Sequence, residues 1–190
     1  MIHVRSFRTA GKCHGFDISR CQDQIRILSD ATQTTIVLCD GAGSSPYGGI
    51  AASVTASILA RNLHSNFEQY LHNALPDIKM QLTRTINNEL KKMAKEMQIA
   101  PRLLATTILA ISMDKNGRFI GVHLGDGCIL WNINSSDRLQ TYPGKVVTAK
   151  NASRTTADKA DVRPMLYLFC SFFGLPSRLS CAKSNFIVNL

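Results

Sequence analysis

Apolar and polar positions alternate in short runs at the start of the chain, a pattern of strands rather than helices. His3-Val4-Arg5-Ser6-Phe7-Arg8 alternates and predicts an edge strand. After a loop from Gly11 to Gly15, Gln24 to Leu28 reads as a second strand and Thr34 to Cys39 as a third. The short turn between them, Ser29 to Gln33, predicts an antiparallel hairpin that brings Asp23 and Asp40 to the same end of a sheet.

The period then lengthens. Pro46 in a first turn, with Ser44 and Ser45 as caps, predicts the start of a helix. Ile50, Val54 and Ile58 recur in it at four-residue steps and should face a sheet, while Ala51, Ala52, Ala56 and Ala60 permit close packing. Ser65-Asn66-Phe67-Glu68 has the form of a capping box opening another helix. Pro76 interrupts or restarts that helix. Ile78, Leu82, Ile86, Leu90, Met93 and Met97 then form an apolar stripe at helical spacing, read as core packing, until Pro101 ends the helical region.

Strand signals return beyond it. Thr107 to Met113 meets Arg118 to Leu124 through Asp114-Lys115-Asn116-Gly117, and Asn-Gly is a strong hairpin signal. Gly125-Asp126-Gly127 turns into a further strand, Cys128 to Ile133. Strands, then helices, then a strand meander predict an α+β domain with helices packed on sheets.

Composition narrows the class. The 190 residues suit one domain, and a 45% apolar fraction argues against disorder. The net charge is +9, but the basic residues are scattered, and Lys91, Lys92 and Lys95 share a helix with Glu89 and Glu96. That is a solvated face without the interleaved aromatics of a nucleic-acid module, so no nucleic-acid partner is expected. Six cysteines without a CxxC pair, and a polar, basic opening segment, predict reduced thiols and a cytoplasmic location. The longest apolar run near the C-terminus, Met165 to Phe173, is too short to span a membrane.

The chemistry concentrates at Asp40-Gly41-Ala42-Gly43-Ser44. A carboxylate at a strand end, followed at once by glycines, can offer its side chain and a nearby carbonyl to one hard cation. The same residues also describe an ordinary strand-to-helix turn. The segment resembles the DGxGS signature of the metal-dependent, type 2C (PPM) protein phosphatases, closest to a bacterial branch reading DGAGS. Cys21-Gln22-Asp23 resembles the CQD of that branch, Thr106-Thr107-Ile108-Leu109 its TT-apolar strand start, and Gly125-Asp126-Gly127 its GDG turn. These four pieces fall in family order.

The resemblance implies a central antiparallel β-sandwich flanked by helices. It further implies a serine/threonine phosphatase that hydrolyses phosphomonoesters through a water activated by Mg²⁺ or Mn²⁺, with a phosphoprotein as substrate or partner. It assigns Asp23, Asp40 and the Gly41 carbonyl to the metal, while Asp126 either reaches the metal or caps its own turn. Several departures stand against this. Gln22 replaces the glutamate many members carry, and Ala42 occupies the place of a histidine found in some. The phosphate-binding arginine would fall on Ile18, leaving Arg20 off register. His14 and His123 remain as proton donors, although a lone histidine is commonly structural.

Late acidic motifs of the family are missing after Asp161. The expected organisation is therefore a phosphatase-like portion, 1–150, and a divergent or frame-shifted tail, 151–190, leaving the fold incomplete at the C-terminal end. An incomplete site makes a non-catalytic phosphoprotein-binding domain the alternative.

Overall fold

A computed structural model describes residues 3–10, 21–125, 127–132, 138–140, 146–149, 165–170 and 182–189. The first strand, β1 (His3–Ala10), is followed by β2 (Gln24–Ser29) and β3 (Gln33–Cys39), then helices α1 (Gly48–Ser65), α2 (Phe67–His72) and α3 (Leu75–Glu96). After a 3₁₀ turn at Pro101–Leu103 come β4 (Ile108–Asp114), β5 (Phe119–Leu124) and β6 (Cys128–Asn132). Four shorter or later strands follow: β7 (Arg138–Gln140), β8 (Val146–Ala149), β9 (Met165–Cys170) and β10 (Ala182–Asn189).

The strands form two antiparallel five-stranded sheets, ordered β1-β10-β9-β6-β7 and β2-β3-β4-β5-β8. The fold is α+β, as expected, and β1 is indeed an edge strand. β9 and β10 come from the compositionally divergent stretch, yet both lie inside the first sheet, with β10 paired to β1.

The hairpin of β2 and β3 forms where period and turn predicted it, with Gln24 opposite Cys39 and Ser29 opposite Thr34. Its turn is pinned by Asp30, whose Oδ1 accepts hydrogen bonds from the Thr32 hydroxyl and amide (both 2.7 Å) and the Gln33 amide (2.9 Å). These donors hold the Asp30 carboxyl well below the usual carboxylate range. The second hairpin, β4 to β5, also forms at Asn116-Gly117. Its Asn116 does not take positive φ; Gly117 alone does, at 79°. Asp114 accepts the Asn116 and Arg118 amides (both 2.9 Å), so the turn is built on an aspartate rather than on the two-residue geometry that Asn-Gly favours.

β3 and β4 are buried along nearly their whole length, which makes this sheet a middle layer. Val37, Cys39, Ile108, Ala110, Ile120 and Val122 join one hydrophobic cluster with the three helices. The alternate positions, Ile36, Leu38, Leu109 and Ile111, are also fully buried, and strand pleating sends them to the other face.

The helices correct three expectations. In α1 the buried side chains are Ala51, Ala52, Thr55, Ala56, Leu59, Ala60 and Leu63, whereas Ile50 is 39% exposed and Val54 and Ile58 are only half-buried. The helix lies on the sheet through its alanines, Thr55, Leu59 and Leu63, the small residues permitting the close approach, while Ile50, Val54 and Ile58 flank the contact. Ser44 and Ser45 do not cap α1; its N-cap is Tyr47, with no side-chain cap bond. Nor does Ser65 open a capping box: α1 runs through Ser65, and Glu68 instead pairs with Arg118. Pro76 restarts the helical run near the first turn of α3, whose Ile78, Leu82 and Ile86 are buried as the stripe predicted.

Truncating Leu82 to Ala should cost about 2–5 kcal/mol, because it leaves a cavity beneath α3. Ile50→Ala should stay within about 0.5 kcal/mol, as for an exposed position. Urea denaturation of the two variants measures both, and a large loss at Ile50 would contradict the alanine-faced packing.

Candidate metal centre

Asp23 immediately precedes β2 and Asp40 immediately follows β3. Since Gln24 pairs with Cys39, the two aspartates flank the last rung of one hairpin. Asp23 is 1% exposed and Asp40 half-buried. Buried Cys21 lies in the same neighbourhood. Its thiol is pushed up from its ordinary range by burial first, and further by the charges of Asp23 and Asp40. The Asp23 backbone and the Arg8 guanidinium act in the opposite direction. Arg8 reaches across from β1 and donates from Nη1 to the Asp23 carbonyl at 2.8 Å. Burial, reinforced by the Asp40 charge, also raises the Cys39 thiol strongly.

The glycine turn is stitched to a segment far along the chain. The Thr107 amide and the Thr106 hydroxyl both donate to the Asp40 carbonyl (2.9 Å each). The Asp40 amide donates to the Thr107 hydroxyl at 3.1 Å, and the Ala42 amide to the Ala105 carbonyl at 3.0 Å. Gly41 and Thr106 face each other as an isolated antiparallel bridge. The bonds that define it belong to Asp40 and Ala42, so the Gly41 carbonyl is not spent on it. Ser45, taken from sequence as a helix cap, sends its hydroxyl to the Leu103 carbonyl and anchors the far side of the turn.

Close backbone approach explains the glycines. A Cβ on Gly41 would come within 2.4 Å of the Gly48 carbonyl carbon and 2.7 Å of the Gly49 nitrogen. A Cβ on Gly48 would lie 2.8 Å from both the Ala42 oxygen and the Gln22 Oε1. The turn therefore rests directly on the start of α1. Gln22 Oε1 is buried there without a hydrogen-bond partner among the described residues. Gly125, at φ +93°, packs on the Thr107 side chain, so the second glycine turn abuts the same threonine. His123 is 2% exposed and its Nε2 lies 3.0 Å from the Gly125 carbonyl oxygen, an arrangement that ties β5 to its own turn.

The model of the family described as protein phosphatase 2C matches residues 10–157. The chain belongs to this family. No curated protein sequence matches it. The fold resembles RsbX in complex with magnesium (10% identity, TM-score 0.59, 99% of this chain and 94% of that one). It also resembles the PP2C phosphatase domain of SpoIIE from Bacillus subtilis (11%, 0.61, 99% and 63%). A third likeness is to the serine/threonine phosphatase Stp1 from Staphylococcus aureus (15%, 0.59, 100% and 94%). The family and these folds make the chain a phosphatase-like domain.

Of the residues singled out from sequence, Asp23, Asp40 and Gly41 are brought together, while His14, Arg20 and Asp126 lie outside the described residues. The donor set fits one hard divalent cation. It offers two carboxylates, a carbonyl that accepts no backbone hydrogen bond from the described residues, and a glycine cradle that lets the backbone approach. It does not by itself fit a pair of ions. Among the described residues no group of three or more His, Cys, Asp or Glu converges.

The Gly41–Gly48 contact is directly testable. Gly41→Ala forces two backbones apart and should destabilise the domain by about 1–3 kcal/mol, read by urea denaturation. A neutral result would show that the turn does not rest on the helix.

Proposed function

We infer that this chain is a metal-dependent phosphatase 2C domain acting on phosphomonoesters of protein serine or threonine, with Asp23, Asp40 and the Gly41 carbonyl holding the cation. The β2–β3 register carries this assignment, since it fixes both carboxylates at one end of the hairpin beside the glycine turn. A bound Mg²⁺ or Mn²⁺ supplies charge to a phosphoryl oxygen and acidity to a bound water. The protein's own part is positional. Asp23 is buried, so its charge acts at low local dielectric, and the Thr106–Thr107 bonds fix the backbone of Asp40. Free, buried Cys21 and Cys39 suit a reducing compartment such as the cytoplasm. Among the described residues no helix is long and apolar enough to cross a membrane.

One observation favours a second reading, a non-catalytic domain that binds a phosphoprotein. Gln22 is neutral where many members carry glutamate, and the described residues supply only two carboxylates. Two close divalent ions repel each other, and two carboxylates offset that charge poorly.

The deciding measurement is Mn²⁺-stimulated hydrolysis of a phosphopeptide by wild type and by Asp40→Asn. The phosphatase reading expects turnover by wild type and loss of at least about 100-fold in the variant. Phosphopeptide binding without turnover by wild type would establish the non-catalytic reading instead.

A further inference from the structure

Resting on the metal reading above, we propose that the side-chain amide oxygen of Gln22 is itself a cation ligand. It would complete a low-charge, single-ion site with Asp23, Asp40 and the Gly41 carbonyl. Gln22 directly precedes the buried Asp23. Its stem crosses Gly49, where an added Cβ would sit 3.6 Å from both the Gln22 Cα and Cγ. Its Oε1 borders the gap left by the missing Gly48 side chain: a Cβ there would lie 2.8 Å from both Oε1 and the Ala42 oxygen, and 2.9 Å from the Ala42 nitrogen. The amide oxygen thus shares one small gap with the Ala42 end of the glycine turn, between hairpin and helix.

Oε1 is buried and accepts no hydrogen bond from the described residues. A buried acceptor left unsatisfied is costly, and native proteins avoid it. A hard cation satisfies an amide oxygen as readily as a donor does, and amide carbonyls are ordinary ligands for such ions. A neutral oxygen here also accounts for the charge balance. Two carboxylates and two neutral oxygens match one divalent ion without excess negative charge, whereas a glutamate would add a third anion suited to a second ion.

A turned amide is the competing arrangement. With oxygen and nitrogen exchanged, Nε2 would face the gap beside Ala42 as a donor and Gln22 would be a purely structural clamp. The two roles predict opposite responses to the same substitutions. A ligand oxygen is retained in Gln22→Glu and lost in Gln22→Met, which is close in volume. A structural donor is lost in both.

The experiment is Mn²⁺ binding by calorimetry and by electron paramagnetic resonance of free Mn²⁺, using the full chain. Thermal stability of each metal-free variant is recorded in parallel. The ligand role expects Gln22→Met to weaken Mn²⁺ by at least roughly tenfold while keeping metal-free stability, because the orphaned oxygen is removed. It expects Gln22→Glu to bind Mn²⁺ more tightly than wild type and to melt lower without metal, from repulsion by Asp23 and Asp40. Unchanged Mn²⁺ affinity in Gln22→Met, with both variants less stable, would overturn the ligand role and leave the Asp23–Asp40 site standing. Equal Mn²⁺ affinity in wild type and Asp40→Asn would overturn that site and the Gln22 role with it.

Discussion

The backbone of Gly41 lies against the backbone of Gly48 with no room for a side chain between them. Most of what is organised at this end of the molecule depends on that contact. It fixes the glycine turn to the start of α1, and α1 is in turn pressed onto β2 and β3 through its alanines. Arg26 Nε, donating to the Ser57 hydroxyl at 3.1 Å, adds a polar tie between the hairpin and the same helix. The acidic end of the hairpin is thus held by packing in three directions: along the strands, onto the helix, and across to the Thr106–Thr107 segment. Preorganisation of this kind matters for charged groups, because buried carboxylates repel one another and drift apart unless the backbone holds them.

Much of this was legible in the chain. The β2–β3 hairpin follows from a period of two and a short turn, and it alone aligns Asp23 with Asp40. The α3 stripe was equally readable, since Ile78, Leu82 and Ile86 are large and regularly spaced. The face of α1 was misread for a definite reason. Bulky Ile50, Val54 and Ile58 dominate a hydrophobic pattern, but a helix that must seat its first turn on a glycine loop approaches the sheet through its smallest residues. Ser45 and Ser65 looked like caps because capping motifs are local, whereas the Ser45 hydroxyl is claimed by Leu103, far along the chain. The clamp of Thr106 and Thr107 on Asp40 had no local signal beyond the resemblance, because strand pairing across such a separation leaves no periodic trace.

The exposed rim shows a different economy of charge. Arg118 bonds the buried Asp114 through Nε at 2.6 Å, pairs with Glu68 on α2, and lies over the Phe67 ring, 5.9 Å from its centre. A six-residue helix has little stability of its own. Here it is held by buried Phe67, Tyr70 and Leu71 beneath and by one arginine shared with a β-turn above. The formal excess of positive charge therefore does not mean that every basic side chain is available to partners; this one is consumed internally.

The pairing of β1 with β10 sets His3 opposite Asn189 and Ala10 opposite Ala182. The rungs β2 to β5, in contrast, close among neighbours in the chain, apart from the long return to β4. During synthesis the helix-backed sheet can therefore assemble its central strands while β1 still waits for its partner. Loop closure of that length is entropically costly and slow relative to hairpin formation. Until β10 emerges, the inner edge of β1 presents unpaired amides and carbonyls, a template that invites pairing with another chain. Its two arginines, Arg5 and Arg8, three residues apart and so on opposite faces of the strand, put like charges on any second β1 that approaches, so electrostatic repulsion guards the nascent edge during the interval when backbone hydrogen bonds cannot.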